Sequence, residues 1–362
     1  MSESPLNTIT KYNFPHYDNQ PTSVWNRLPV SRRSAVFVLL FLGKLGELRV
    51  VLTKRSSKLR NFPGHISFPG GKSDNGLESE WHTARREMEE EIGLSANNEY
   101  LLKNFGFEID HLNVMPSYLS RTFSAVRPCV GFMRFAADTS GADLIHNLKV
   151  NLNPGESSSV FSCPLQDFLY PISDRDSLEC IEKQSFRMSW GGIPWMLRTY
   201  TFPQLVAGEA SWLQEVQGLS ESESESELNS DSAELQGEES QAQSEEVPQT
   251  SRGSRKLNRE KWGRLGSRRH SETNEKIYDV WGLTANILHD LANVVYTNNA
   301  TNSEFGQEDL IYSIWHHGNQ MREKKRSPEE SQLIESRSRP DDLGFGDILP
   351  RTEFLRLKQL YK

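Results

Sequence analysis

"FPGGKSDNGLESEWHTARREMEEEIGL", residues 68–94, sets a Gly-Gly turn ahead of a crowd of acids. Five carboxylates fall between Glu80 and Glu91: Glu80, Glu87, Glu89, Glu90 and Glu91. Like charges at such spacing repel in an isolated helix. Leu77, Trp81, Ala84, Met88 and Ile92 nevertheless recur at helical spacing, with Ser79 or Asn75 as the cap and Gly93 as the stop. Glu87, Glu90 and Glu91 project from one side, next to the apolar stripe that must be buried. Carboxylates crowded at a buried edge need cations. Mg²⁺ or Mn²⁺ takes oxygen ligands and keeps room for substrate phosphates. Arg86, four residues before Glu90, is placed to pair with it. Gly70 and Gly71 let backbone approach closely, and Pro69 stiffens the entry. The competing reading is a surface helix whose acids are simply solvated.

The surrounding chain has 362 residues, a formal net charge of -8 and a hydrophobic fraction of 36%. That fraction is low for a chain folded throughout, so part of it is expected to be polar and unfolded. The negative balance argues against a general binder of nucleic acid or anionic membranes. The three cysteines, Cys129, Cys163 and Cys180, lack metal-type spacing. They fit a reduced intracellular protein without structural zinc. No apolar run reaches the roughly 18 residues of a membrane span. The longest, residues 34–43, reads as a buried strand. The N-terminus lacks the layout of a secretory signal, and Leu360, Tyr361 and Lys362 do not spell a Ser-Lys-Leu peroxisomal address. Oligomeric state is not legible.

Residues 1–33 read as an irregular arm. "AVFVLLFL" and "ELRVVLTKR" flank turn residues and predict a β-hairpin. "YLLKNFGFEI" and "VRPCVGFMRF" read as strands, and "LNPGESSSVFSCPLQDFL" as a strand running into a short helix. "RMSWGGIPWMLRTYTF" reads as a hairpin around Gly191 and Gly192. Residues 34–206 are thus expected to form an α+β or α/β domain with a mixed sheet, carrying a catalytic loop and helix at 64–94. Residues 207–276 read as a disordered, charged insertion, because they cannot bury enough surface to offset their ordering entropy. Order returns at 277–296 as an amphipathic helix whose partner is the core before residue 206. The insertion would then interrupt one domain, completed by a helical part at 277–319. Residues 320–362 read as a charged tail with a short terminal helix.

The ordered string Arg86-Glu87-Met88-Glu89-Glu90-Glu91-Ile92-Gly93-Leu94 resembles the Nudix box, Gly-x5-Glu-x7-Arg-Glu-apolar-x-Glu-Glu-x-Gly-apolar. Lys72 stands where the first glycine belongs. Either the loop carries one extra residue or Glu78 is not the box glutamate. A second stretch, residues 52–71, is similar to the signature of the coenzyme A diphosphatase subgroup. Leu52, Thr53, Lys54, Arg55, Ser56, Arg60, Gly64 and Phe68 to Gly71 fall in place, while Val51 replaces a leucine. "LNPGESSSVFSCPL" and "WGLTANIL" are similar to later family segments. The resemblance implies a Nudix α/β/α sandwich and Mg²⁺- or Mn²⁺-dependent hydrolysis of a diphosphate. It implies coenzyme A or an acyl-CoA as substrate, with 3′,5′-ADP and 4′-phosphopantetheine products.

The site expected from box and signature has Glu87, Glu90 and Glu91 as metal ligands and Arg86 and Glu90 as catalytic residues. Lys54, Arg55, Arg60, Gly70 and Gly71 would bind substrate, the cations being suited to phosphate oxygens. Glu156 is a lone acid that could complete a metal site, and His65 could reach a phosphate. Trp190 and Trp195 have core packing as their default and adenine stacking as the alternative. Cys129 reads as a buried small residue. Alternative functions are hydrolysis of another nucleotide, such as an oxidised nucleoside triphosphate or ADP-ribose, and a non-catalytic binding protein or scaffold. Fungal members of the subgroup are associated with peroxisomes.

Overall fold

Residues 35–41 alternate between two buried faces: Ala35, Phe37, Leu39 and Phe41 pack on one side, Val38 and Leu40 on the other. A strand covered on both faces belongs in the middle of a layered α/β structure. The computed structural model describes residues 4–136, 145, 148–169, 178–206, 208–213, 267–297, 305–336 and 342–362. Its strands are β1 (Arg33–Leu42), β2 (Leu48–Arg55), β3 (Ile66–Ser67), β4 (Gly70–Lys72), β5 (Phe107–Val114) and β6 (Tyr118–Leu119). They continue as β7 (Ala125–Phe135), β8 (Ser157–Pro164), β9 (Glu182–Trp190), β10 (Ile193–Pro203), β11 (Ser267–Arg269) and β12 (Lys276–Trp281). The helices are α1 (Pro5–Lys11), α2 (Glu80–Ile92), α3 (Asn98–Phe105), α4 (Gly282–Tyr296) and α5 (Glu308–His316). α6 (Pro328–Glu335), α7 (Phe345–Ile348) and α8 (Arg351–Leu360) follow.

The main sheet runs β3-β2-β1-β7-β5, with β4 on β1, β6 on β7 and β8 on β2. It is mixed, because β1 pairs parallel with β7 and antiparallel with β2 and β4. Ala84, Met88 and Ile92 of α2 and Leu101 of α3 cover one face of this sheet. Ile287, Leu288 and Leu291 of α4 and Ile9 of α1 cover the other. The result is the expected α/β/α sandwich. A second sheet, β11-β12-β10-β9, joins this latter layer through Tyr200, Phe202, Tyr278 and Val280. Its β9–β10 hairpin turns at Gly191 and Gly192, whose φ values of 54° and 85° favour glycine.

Several expectations need correction. The arm at 1–33 is not irregular where described. It forms α1 and three short 3-10 turns, burying Ile9 and Trp25. "YLLKNF" is helix rather than strand. Asn97 accepts the N–H of Tyr100 at one end of α3, and Gly106 in the left-handed region closes the other. Residues 277–281 are strand, and the helix begins only at Gly282. Of the 207–276 insertion, 207 and 214–266 lie outside the described residues, whereas 267–269 pair with β12. Residues 320–362 are more than a charged tail. Leu333, Phe345, Leu349 and Leu357 are buried against Trp25, Phe123 and Trp190.

Candidate active site

The site grows from the junction of β4 and α2. Ser79 caps α2 by accepting the N–H of His82, and Gly93 ends it with φ 73°. Leu77 lies outside the helix and is 98% exposed, so the buried stripe is Trp81, Ala84, Met88 and Ile92. Gly70 and Gly71 are required by close approach. A Cβ on Gly70 would stand 2.5 Å from the Ala35 carbonyl oxygen. One on Gly71 would stand 2.3 Å from Cδ of Glu87. The glycine edge of β4 therefore sits directly on the acidic helix.

Glu91 is the buried member of the acid set, 6% exposed. Its Oε1 accepts the Gly70 N–H at 3.3 Å and its Oε2 accepts the Ser157 hydroxyl at 3.3 Å. Burial pushes its carboxyl up to about 7. The Gly70 N–H and Arg55 oppose that rise, while Glu87 and Glu156 add to it. Glu87 is also raised, first by burial, with Arg86 opposing and Glu90 and Glu156 reinforcing.

Arg86 organises the rest. Its Nε donates to Glu78 at 2.9 Å, and its Nη1 donates to Glu87 at 3.0 Å and Glu90 at 3.1 Å. Its Nη2 donates to the Lys72 carbonyl at 2.9 Å. The extra loop residue at Lys72 thus does not displace Glu78 from the arginine. Burial alone would raise the Glu78 carboxyl, but Arg86 and the Asp74 N–H outweigh it and hold it below its usual value. Glu90 faces solvent, with its side chain 51% exposed. Glu89 is exposed and accepts the Ala96 N–H, as expected of a solvated acid. Glu80 departs from that pattern, being half-buried within 3.5 Å of Arg127.

Glu156 arrives from the loop before β8. Pairing of β2 with β8 brings it in, with the Ser56 N–H donating to the Glu156 carbonyl at 2.9 Å. Its Oε2 is buried without a hydrogen-bond partner among the described residues. Nε of Arg55 is likewise buried and unpartnered there. Arg55 sits at the end of β2, close enough to influence Glu91. Lys54 is buried in the same strand, and Arg60 is exposed on the loop beyond it. His65 packs between Phe62 and Trp281, whose rings are tilted to it with centroids 5.4 and 5.2 Å away. Trp190 is core: its Nε1 donates to the Leu333 carbonyl at 2.9 Å, and Trp195 packs on its edge. Cys129 is fully buried, and burial raises its thiol far above the usual range.

No ready-made cage of three His, Cys, Asp or Glu side chains is formed among the described residues. The chemistry of the donors still fits a hard divalent cation. Burial and neighbouring acids raise Glu87 and Glu91, and a Glu156 oxygen is orphaned among the described residues, a donor set that a bound cation would satisfy. Glu156, a lone acid that the sequence offered as a candidate, is the one brought to this set from outside the box. It lies 65 residues beyond Glu91 (156 − 91), and nothing local in the box points to it.

A Gly-Gly turn pressed onto an Arg-Glu-Glu-Glu helix, on a mixed sheet between helical layers, defines a class. The NUDIX domain model matches residues 31–183, and the chain belongs to the Nudix hydrolase family. It is 35% identical to peroxisomal coenzyme A diphosphatase 1 of Saccharomyces cerevisiae, over 96% of this chain and 93% of that one. It is 33% identical to a peroxisomal coenzyme A diphosphatase of Mus musculus, over 39% of this chain and 50% of the relative. A mitochondrial Nudix hydrolase 15 of Arabidopsis thaliana is 38% identical over 38% of this chain and 42% of its own length. Among solved structures, a C. elegans Ap4A hydrolase complex is 19% identical, covering 37% of this chain and 82% of that one, with a TM-score of 0.27. No helix among the described residues is long and apolar enough to cross a membrane.

Proposed function

We propose that the chain hydrolyses the diphosphate of coenzyme A or its acyl derivatives, releasing 3′,5′-ADP and a 4′-phosphopantetheine product. The observation that carries this reading is the meeting of two sequence signatures at one carboxyl. Glu91 of the box lies against the Gly70 N–H and under the influence of Arg55, from the stretch similar to the coenzyme A diphosphatase signature. The full-length similarity to a coenzyme A diphosphatase supports the same substrate.

Glu87, Glu91 and Glu156 are the residues to hold Mg²⁺ or Mn²⁺, with Glu90 at the solvent edge of the set. Such an ion, when bound, neutralises diphosphate charge and acidifies a water. The Nε of Arg55, without a hydrogen-bond partner among the described residues, would donate to a diphosphate oxygen, and Lys54 and Arg60 would serve the other phosphates. Arg86 is a positioning residue, fixing Glu78, Glu87 and Glu90 at once. Water attacks one phosphorus, the bridging P–O bond breaks, and Glu90, the solvent-facing acid, takes the water's proton.

Turnover of coenzyme A, ADP-ribose and an oxidised nucleoside triphosphate by the full chain with Mg²⁺ tests the substrate. kcat/KM is expected to be highest for coenzyme A. A higher value for either of the others would overturn the substrate assignment, and no turnover of any would favour a binding protein. A peroxisomal location belongs to the same reading. It fails if a fluorescently tagged chain does not coincide with a peroxisomal matrix marker.

A further inference from the structure

A cavity of about 280 Å³ opens between the β9–β10 hairpin and α4, with Phe305 and Tyr361 also in its lining. None of its lining residues belongs to the Nudix box or to residues 52–71. Its volume lies at the lower edge of ligand pockets, roughly 300–1,000 Å³. That suits a single nucleotide and is small for a whole coenzyme A.

Two guanidinium groups face it from the hairpin, Arg187 of β9 and Arg198 of β10. Arg198 is half-buried. It makes one hydrogen bond, to the neutral Asn286 Oδ1 at 2.9 Å, and no ion pair among the described residues. Arg187 has neither a hydrogen bond nor an ion pair there. Arg198 shares the lining with Asp290 and influences it, so Arg187 is the guanidinium open to an anionic ligand, ideally one that both can grip. Asp290, also in the lining, accepts the Tyr118 hydroxyl at 2.7 Å, and Lys362 adds a further basic residue to the lining.

The opposite wall carries acceptors and a ring. Nδ1 of His289 lies 2.9 Å from the Phe168 carbonyl, which accepts its proton and leaves Nε2 as an acceptor. Burial, with Arg198 nearby, lowers this imidazole to about 4, so it stays neutral near pH 7. Trp195 and Met196 add apolar surface along the hairpin side.

We propose that this cavity binds a nucleoside monophosphate. The phosphate sits on Arg187 and Arg198, and the base lies against Met196, on the same face of the hairpin, and donates to His289 Nε2. The site is separate from the diphosphate-hydrolysing centre, and its ligand has no diphosphate bond for that centre to cleave.

Calorimetric titration of the full chain with AMP, adenosine and inorganic phosphate, in metal-free buffer, tests it. AMP is expected to bind with one equivalent, at least tenfold more tightly than adenosine or phosphate alone. Arg187→Met and Arg198→Met should each raise the AMP Kd at least tenfold, while Arg55→Met leaves it unchanged. Arg187 is exposed, so its substitution keeps the melting temperature and the test does not depend on a weakened fold. Absence of AMP binding would overturn the proposal. So would binding lost in Arg55→Met but kept in both cavity variants, or phosphate or adenosine binding as tightly as AMP.

Discussion

Gly71→Ala perturbs the active site through a single carbon. The new Cβ would lie 2.3 Å from Cδ of Glu87 and 2.4 Å from both of its oxygens. An ordinary carbon–carbon contact is about 3.5 Å. The carboxyl must therefore retreat by about 1.2 Å, the difference between that contact and 2.3 Å. A catalytic group misplaced by about 1 Å costs on the order of 100-fold in rate. The atoms in the way belong to a flexible side chain, so the fold can absorb the change. Gly70→Ala is the contrast, because its Cβ would meet the Ala35 carbonyl oxygen at 2.5 Å and Val36 Cα at 2.6 Å, both backbone. Overpacking against backbone costs about 1–3 kcal/mol or more of stability. Steady-state kinetics with coenzyme A and urea unfolding separate the two. Gly71→Ala should lose about 100-fold in kcat/KM while unfolding near the wild-type midpoint, and Gly70→Ala should unfold earlier. Wild-type kcat/KM in Gly71→Ala would refute the placement of Glu87 against the glycine edge.

Arg86→Met should lower kcat about 100-fold with a smaller change in KM, because it releases Glu78, Glu87 and Glu90 together. Equal changes in both constants would show that Arg86 contacts substrate. Phe345→Ala should cost about 3–5 kcal/mol in urea unfolding, since the ring is fully buried beside Phe123 and Trp190. A cost below about 1 kcal/mol would mean that the C-terminal helices do not share the core. Burial lifts Asp290 from 3.8 to about 6, against the Tyr118 hydroxyl and Arg198. The folded chain then binds this proton more tightly than the unfolded one, so the contribution is full below about pH 3.8 and lost as pH rises through about 6. The stability of wild type relative to Asp290→Asn should fall by about 3 kcal/mol between those limits, and a pH-independent difference would contradict it.

The box was legible because its determinants are local. Ser79, Trp81, Arg86, Glu91 and Gly93 lie on one helix and its caps, so spacing alone orders them. Glu156 enters only through β2–β8 pairing, which no periodicity within either strand specifies. The run Tyr100–Phe105 is short and apolar enough for either period, and the Asn97 cap and Gly106 decide for helix. Ile277 to Trp281 matched helical spacing as part of a longer run. Their pairing with Thr199 to Pro203 makes them strand. The last segment misled through composition. Leu333, Phe345, Leu349 and Leu357 are sparse among charged residues, yet each reaches a buried position. The N-terminus reads as an irregular arm, but Trp25 anchors it by donating from Nε1 to the Ser34 carbonyl at 2.9 Å.

Release of 3′,5′-ADP from coenzyme A, followed with and without Mg²⁺ for the full chain and for Glu91→Gln, bears most directly on the proposed chemistry. Turnover should require the metal and fall at least 1,000-fold, about 4 kcal/mol, when the buried Glu91 carboxyl is replaced. Undiminished, Mg²⁺-dependent turnover by Glu91→Gln would contradict the metal assignment at this carboxyl, and turnover without divalent metal would contradict the mechanism itself.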